Sequence, residues 1–257
     1  MILKRQKLGA FERAKEIGAD GIEMDMGGLG NRETFDSKFL SGDTIEEEVF
    51  KNKAAETGIG FSSIAMSGFY AQSFAKRPTV KRMVNDCIEV MKKFNVQVGY
   101  LPLGTQGDLV KNPELRPAII ERLRWAGKQV EKINGVIAIE TSLSAAEEKE
   151  LLKEIGNRNI KIAFNFANAI KNGRDISKEL KTLGRDNIAQ IHASNTDGVW
   201  IENDKAIDLP KIKETLDKMH WKGWLIVERS RDTSMVREVV KNYSANVAYL
   251  KKVFQNK

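Results

Sequence analysis

The chain has 257 residues, of which 41% are hydrophobic and 30% charged, a balance typical of a globular protein that needs no disulfide to form a core. Its net charge of +7 comes from basic residues interleaved with acidic ones, which argues against a nucleic-acid groove. No apolar run approaches the roughly 20 residues of a membrane helix, and the single cysteine excludes an intrachain disulfide and a Cys-based zinc site.

Apolar strands and amphipathic helices are predicted to alternate along the whole chain. Only MILK at 1–4 precedes the first helix, so the first strand is expected to be short or missing. The other strands are predicted at 21–26, 60–67, 97–103, 136–142, 160–166, 188–194 and 224–230. Helices are predicted at 9–18, 44–57, 79–94, 113–133, 144–156, 175–184, 207–219 and 233–254.

This alternation predicts an α/β fold with a parallel sheet. The glycines of MDMGGLGNRE lack the G-x-G-x-x-G spacing of a dinucleotide-binding fold, and no Ser/Pro-rich linker divides the chain. We therefore expect a single (β/α)8 TIM-barrel domain over residues 1–257, with its first strand short or missing. Closure of the barrel by a neighbouring subunit, and hence a homo-oligomer, stays open at this point.

Polar residues end four consecutive predicted strands, namely Glu140, Asn165, His192 and Glu228. The C-terminal ends of barrel strands build the active site of this fold. Carboxylate and imidazole groups are natural ligands of a divalent metal, and an amide oxygen can join them without adding charge. The sequence predicts one divalent metal (Mn, Zn, Co or Mg) at these four residues, although salt bridges with Arg or Lys would also account for the buried glutamates.

Two segments, IKIAFNFANAIKNGRDISKELKTLGRDNIAQIHASNTDGVW and LPKIKETLDKMHWKGWLIVERSR, resemble the sugar phosphate isomerase/epimerase proteins, the xylose isomerase-like TIM-barrel family. The resemblance implies a Glu, an Asp, a His and a Glu around one metal, and Glu140, His192 and Glu228 match three of these. Asn165 replaces the Asp of the D-x-G-[HN] motif, whereas Asn168 matches its last position, which contacts substrate. In the D-tagatose 3-epimerase group, the two glutamates are the acid and base of 1,2-enediolate chemistry.

Four further residues are predicted to face the site. Tyr70 and Gln72 follow the third strand at a loop expected to contact substrate. Arg231 comes soon after Glu228 and could hold an anionic or hydroxylated substrate. Glu23, on the second strand, is expected either to orient a ligand inside the barrel or to form a structural salt bridge.

Together these features predict a metal-dependent sugar or sugar phosphate isomerase or epimerase that acts on a small-molecule substrate with Glu140 and Glu228 as its acid–base pair. Two alternatives stay open: a metal-dependent hydrolase or lyase, and a non-catalytic or metal-depleted sugar-binding relative, for which Asn165 is the argument. The related repair nucleases need a multi-histidine cluster that binds three zinc ions. The chain has only two histidines, His192 and His220, which argues against this class. The compartment is also open, cytoplasmic for the chain as given and periplasmic if a leader has been removed.

Overall fold

The structure is a computed structural model that describes residues 2–3, 6–42 and 44–255. Its eight strands form one parallel sheet in chain order, curved into a nearly closed barrel with alternating helices, so the TIM-barrel prediction is confirmed. The strands are β1 (Ile2–Leu3), β2 (Gly21–Asp25), β3 (Gly60–Ala65), β4 (Val98–Pro102), β5 (Val136–Glu140), β6 (Ile160–Asn165), β7 (Ile188–His192) and β8 (Leu225–Ile226). The helices are α1 (Gly9–Glu16), α2 (Ile45–Thr57), α3 (Val80–Lys93), α4 (Arg116–Val130), α5 (Ala145–Ile155), α6 (Phe166–Lys171), α7 (Ile176–Leu183), α8 (Leu209–Lys218) and α9 (Val239–Phe254).

The first strand is present and short. Ile2 of β1 pairs with Glu23 of β2, and Leu3 pairs with Met24. Met1 and Lys4, also part of the predicted strand, lie outside the described residues. Among the strand pairings of the described residues, β8 joins only β7, which places the gap of the barrel between β8 and β1.

One helix, α6, was not predicted from the sequence. It begins directly where β6 ends, because the side chain of Asn165 accepts a hydrogen bond from the backbone N–H of Ala167 and so caps the first turn. Across all of the described helices, none is long and apolar enough to cross a membrane.

Alternate side chains of each strand point into the barrel. In β5, Ala138 and Glu140 point inward, whereas Ile137 and Ile139 join the main hydrophobic core. A separate apolar cluster occupies the interior and consists of Ala65, Tyr100, Ala138 and Ala163. The alanines leave room for the fully buried Tyr100 ring, which therefore reaches the polar residues at the strand ends.

Trp224 closes the opposite, N-terminal end of the barrel. Its ring lies so close to the first residue of β2 that a Cβ atom on Gly21 would stand 2.8 Å from it. A cavity of about 680 Å³ opens beside this ring, and its walls include Trp221, Tyr243 and Leu250. None of the predicted site residues lines this cavity.

Candidate active site

Three of the four strand-end residues meet around one nitrogen atom. His192 Nδ1 lies 3.6 Å from Glu140 Oε2 and 3.5 Å from Glu228 Oε2. His192 is fully buried, and its Nδ1 has no hydrogen-bond partner. The inward-pointing ends of β5 and β7 and the segment after β8 therefore bring together side chains that lie up to 88 residues apart along the chain.

The opposite edge of the His192 ring, at Nε2, contacts buried polar side chains deeper in the barrel. His192 Nε2 lies 3.6 Å from Glu23 Oε2 and 3.2 Å from the side-chain nitrogen of Gln190. The same Glu23 oxygen accepts hydrogen bonds from Ser63 Oγ at 2.6 Å and from Gln190 Nε2 at 2.8 Å. Glu23 thus points into the barrel and contacts the His192 ring from below, and whether it orients a ligand or only forms a structural ion pair stays a prediction.

The carboxyl groups and the imidazole shift one another's pKa. Burial acts to lower the pKa of His192, but the negative charge of Glu23 and contacts with Glu228 and Glu140 outweigh it and raise the pKa to about 10. Burial raises the pKa of Glu140, and the charge of Glu228 adds to this effect. Burial would also raise the pKa values of Glu23 and Glu228, but His192 holds both below their usual range. In the metal-free cluster, the neighbouring carboxyl groups therefore favour the protonated form of His192.

Glu140 is surrounded by hydrogen-bond donors. Its Oε2 accepts from Tyr100 Oη at 2.8 Å and from Asn165 Nδ2 at 3.0 Å, and its Oε1 lies 3.4 Å from Asn168 Nδ2. The orientation of the Asn165 amide is fixed, because its Oδ1 accepts the backbone N–H of Ala167 at 2.9 Å and a backbone N–H can only donate. Asn165 therefore presents hydrogens, not an oxygen, to Glu140.

This orientation bears directly on the predicted metal. Glu140, His192 and Glu228 supply two carboxylates and an imidazole with an unpaired nitrogen, donor types that suit a divalent cation. In this orientation Asn165 does not offer the cluster a fourth ligand, because its amide turns the nitrogen, which carries hydrogens, toward Glu140 and the oxygen toward Ala167. Across the described parts of the chain, no group of three or more His, Cys, Asp or Glu side chains is arranged to hold a metal ion. As it stands, the cluster is held by hydrogen bonds and charge.

Two tyrosines connect the glutamates. The Tyr70 hydroxyl lies 2.6 Å from the Tyr100 hydroxyl and 3.5 Å from Glu228 Oε1. The sequence predicted Tyr70 but not Tyr100, because Tyr100 lies within the apolar run VGYLPL. The signal that could have identified it is physical: an inward-facing tyrosine in a barrel strand needs a partner for its buried hydroxyl.

Two residues predicted to contact substrate, Gln72 and Arg231, form hydrogen bonds or ion pairs with other side chains of the protein. The Gln72 side-chain oxygen accepts a hydrogen bond from Arg77 at 3.2 Å. Arg231 forms a two-pronged ion pair with Asp197, with distances of 3.0 Å from Nε and 2.5 Å from a terminal nitrogen. Their roles in binding substrate stay predictions.

A cavity of about 1190 Å³ lies at the C-terminal ends of the first three strands. Its walls include Asp25, Ser67 and Gln72. Asp25, which the sequence analysis missed, stands two residues after Glu23 on the inward face of β2, is buried, and accepts a 2.6 Å hydrogen bond from Ser67 Oγ. The cavity has room for a small polyhydroxylated molecule.

The fold and the strand-end cluster define a TIM-barrel protein whose polar side chains converge at the C-terminal mouth, the place where such barrels bind small molecules. Residues 11–253 match the sequence model of the xylose isomerase-like TIM barrel family. The chain belongs to that family.

Individual relatives are distant. A curated relative, 2-epi-5-epi-valiolone 7-phosphate 2-epimerase from Actinoplanes sp. SE50/110, is 24% identical over 191 residues, which cover 71% of this chain and 66% of that protein, just under two thirds of its length. D-psicose 3-epimerase from Clostridium cellulolyticum H10, solved with D-tagatose, superposes with a TM-score of 0.76 over 98% of this chain and 95% of the other, at 14% identity. A xylose isomerase-like protein from Mycobacterium smegmatis in complex with magnesium gives a TM-score of 0.73 over 97% and 88%, also at 14% identity.

Proposed function

We propose that this protein is a sugar isomerase or epimerase in which Glu140 and Glu228 are the acid–base pair and an enediolate is the intermediate. The observation that carries the proposal is the pair itself. Two glutamates lie within 3.6 Å of the same His192 nitrogen, and their pKa values are shifted in opposite directions, up for Glu140 and down for Glu228. Titratable groups whose environments separate their pKa values are suited to opposite roles in proton transfer.

The roles follow from those shifts. Glu228, the more acidic of the two, takes the proton from the carbon beside the substrate carbonyl. Glu140, the less acidic, returns a proton to the enediolate. Without a metal, a protonated His192 and the amide hydrogens of Asn165 and Asn168 lie next to this pair and would favour negative charge developing on the substrate oxygens.

A divalent metal, Mn, Zn, Co or Mg, stays part of the proposal. Glu140, Glu228 and His192 in its neutral form would hold it, the metal taking the place of the proton on His192, and Asn165 would remain outside the coordination shell as a hydrogen-bond donor to Glu140. When bound, such a metal polarises the carbonyl and the neighbouring hydroxyl of a keto-sugar. The magnesium complex of the Mycobacterium smegmatis relative supports this part of the proposal.

The substrate proposed is a keto-sugar. Structures of relatives solved with D-tagatose and with D-fructose support this choice. The name of the Actinoplanes relative, a 7-phosphate epimerase, keeps a phosphorylated substrate in the proposal. Asp25, at the wall of the cavity at the C-terminal ends of the first three strands, would accept hydrogen bonds from the hydroxyl groups of an uncharged sugar.

A second candidate function is sugar binding without catalysis. The observation that favours it is the Asn165 amide, which removes one carboxylate from the family's four-residue set and gives Glu140 a neutral partner in its place. In this case the cavity would still bind a sugar, but neither glutamate would exchange a proton with it.

The test is conversion of keto-sugars followed by NMR. Purified protein is incubated with D-fructose, D-tagatose, D-psicose and D-fructose 6-phosphate, in EDTA and with each of the four metals. The proposal expects one of these to be converted to its C3 epimer or to its aldose isomer. Saturable binding of a sugar with no conversion under any metal condition would favour the second candidate, and neither binding nor conversion would reject both.

A further inference from the structure

A chain of four oxygen atoms joins the two glutamates. Glu140 Oε2 lies 2.8 Å from Tyr100 Oη, Tyr100 Oη lies 2.6 Å from Tyr70 Oη, and Tyr70 Oη lies 3.5 Å from Glu228 Oε1. Tyr100 is fully buried and Tyr70 is partly buried. The chain therefore passes through the protein, beside the site and not through bulk water.

The lengths of the three links correspond to the number of hydrogens available. Each link between two oxygens needs one hydrogen, and the two tyrosines supply only two. When both glutamates are ionised, Tyr100 donates to Glu140 and Tyr70 donates to Tyr100. These are the two short links. The third link then has no hydrogen, and it is the long one. A proton on Glu228 Oε1 would supply the missing hydrogen and close the contact with Tyr70.

We propose that Tyr70 and Tyr100 form a proton relay that resets the two glutamates between turnovers; this rests on the acid–base pair of the proposed function. After one epimerisation, Glu228 carries the proton taken from the substrate and Glu140 has lost its own. The Glu228 proton moves to Tyr70, the Tyr70 proton moves to Tyr100, and the Tyr100 proton moves to Glu140. Three O–H bonds break and three form, and neither tyrosine becomes an anion at the end of the step.

The surroundings suit this role. Both hydroxyls are shielded from bulk water, because Tyr100 is fully buried and Tyr70 is partly buried, and a neutral hydroxyl in such a chain passes a proton on as it accepts another. The Tyr100 ring lies against the His192 ring with 4.6 Å between centroids, and three interior alanines pack around Tyr100. Its hydroxyl is thereby held between Glu140 and Tyr70.

The relay is tested by comparing the first turnover with later ones. Tyr70→Phe breaks the chain and keeps the ring. With whichever of the four test sugars the wild type converts, rapid mixing of this variant should give a first turnover much faster than the steady state, a burst of one product per enzyme. We expect the steady-state rate to fall roughly 100-fold, the range for a lost positioned proton carrier. Imidazole buffer at fixed pH should then restore part of the steady-state rate, because it can carry the proton instead.

Tyr243→Phe is the matched control. Tyr243 donates a 2.6 Å hydrogen bond to the backbone carbonyl of Glu228, so it touches the same glutamate but lies outside the oxygen chain. Its replacement should produce neither a burst nor rescue by buffer. A wild-type enzyme that converts sugar, with first and later turnovers equally slowed in Tyr70→Phe and no buffer rescue, overturns the relay alone. A wild type that converts none of the four sugars of the conversion test overturns the proposed function, and the relay with it.

Discussion

Replacing Asn165 with Asp tests the hydrogen-bonded arrangement of the site. Asn165 Nδ2 now donates to Glu140 Oε2 across 3.0 Å, while its Oδ1 caps α6. In Asn165→Asp the cap survives, because a carboxylate oxygen also accepts the N–H of Ala167. The donor to Glu140 is replaced by a second negative oxygen, so the two carboxylates repel each other at the mouth of the barrel.

The magnitude follows from two terms. A hydrogen bond to a charged group contributes about 1.5–3 kcal/mol. Two unit charges about 4 Å apart repel by about 4 kcal/mol at an effective dielectric constant of 20, which is an upper bound because one carboxyl group can take up a proton. We therefore expect the free energy of unfolding in EDTA at neutral pH to fall by about 3 kcal/mol. For a chain of this size that corresponds to a Tm about 6–12 °C lower.

The assay is thermal and urea unfolding of wild type and variant, in EDTA and with added Mn²⁺. A third carboxylate next to Glu140 should attract the cation, and a metal at 100 times its Kd restores about 2.7 kcal/mol, most of the loss. The exposed Asn172→Asp, whose amide donates to the carbonyl of Asn168, is the control and should show neither the loss nor the metal response. If Asn165→Asp is as stable as wild type in EDTA, the amide of Asn165 does not face Glu140 and the argument is wrong.

Three further predictions concern catalysis, pH and packing. Glu140→Gln and Glu228→Gln should each lower the turnover of a keto-sugar by about 10²–10⁴-fold in an NMR conversion assay, and retention of more than a tenth of the wild-type rate would argue against the pair. Burial raises the pKa of Glu148 from 4.5 to about 8, so its contribution to stability is present below pH 4.5 and is lost as the pH rises to about 8. Urea unfolding of Glu148→Gln across this range should therefore show a flatter pH profile than wild type, and an unchanged slope would contradict the assignment. Gly21→Ala should lower the free energy of unfolding by about 1–3 kcal/mol, because its methyl group would meet the Trp224 ring. Gly28→Ala is the control and should leave stability nearly unchanged, because no atom lies within 4 Å of the added methyl group. Gly18 cannot serve as the control, because its φ of +76° would strain an alanine.

Most of the fold could be predicted because each strand carries a local signal. The apolar runs around 136–142 and 160–166 contain strands that end at Glu140 and Asn165, close to the predicted bounds. The helix α6 could not be predicted, because it depends on the Asn165 cap and follows its strand without a loop. The last strand is only Leu225–Ile226, shorter than the predicted 224–230, because it hydrogen-bonds to β7 over just two residue pairs.

The site was predictable only in part, for a related reason. Polar residues at strand ends, such as His192 and Glu228, stand out against apolar neighbours in the sequence. The partners of a side chain are set by residues distant in the chain, so the sequence could not indicate that Asp197 pairs with Arg231 or that Tyr100 reaches Glu140. The direction of the Asn165 amide likewise depends on the backbone of α6.

The central claim, that Glu140 and Glu228 exchange protons with a sugar, is tested most directly by hydrogen exchange in D₂O. Wild type, Glu140→Gln and Glu228→Gln are each incubated with D-tagatose, D-fructose, D-psicose and D-fructose 6-phosphate, with and without Mn²⁺, and deuterium at the carbon next to the carbonyl is measured by NMR and mass spectrometry. The account predicts exchange by the wild type and a loss of about 100-fold or more in each variant. Exchange that persists in both variants would contradict it, and so would a wild type that exchanges no hydrogen on D-tagatose, D-fructose, D-psicose or D-fructose 6-phosphate.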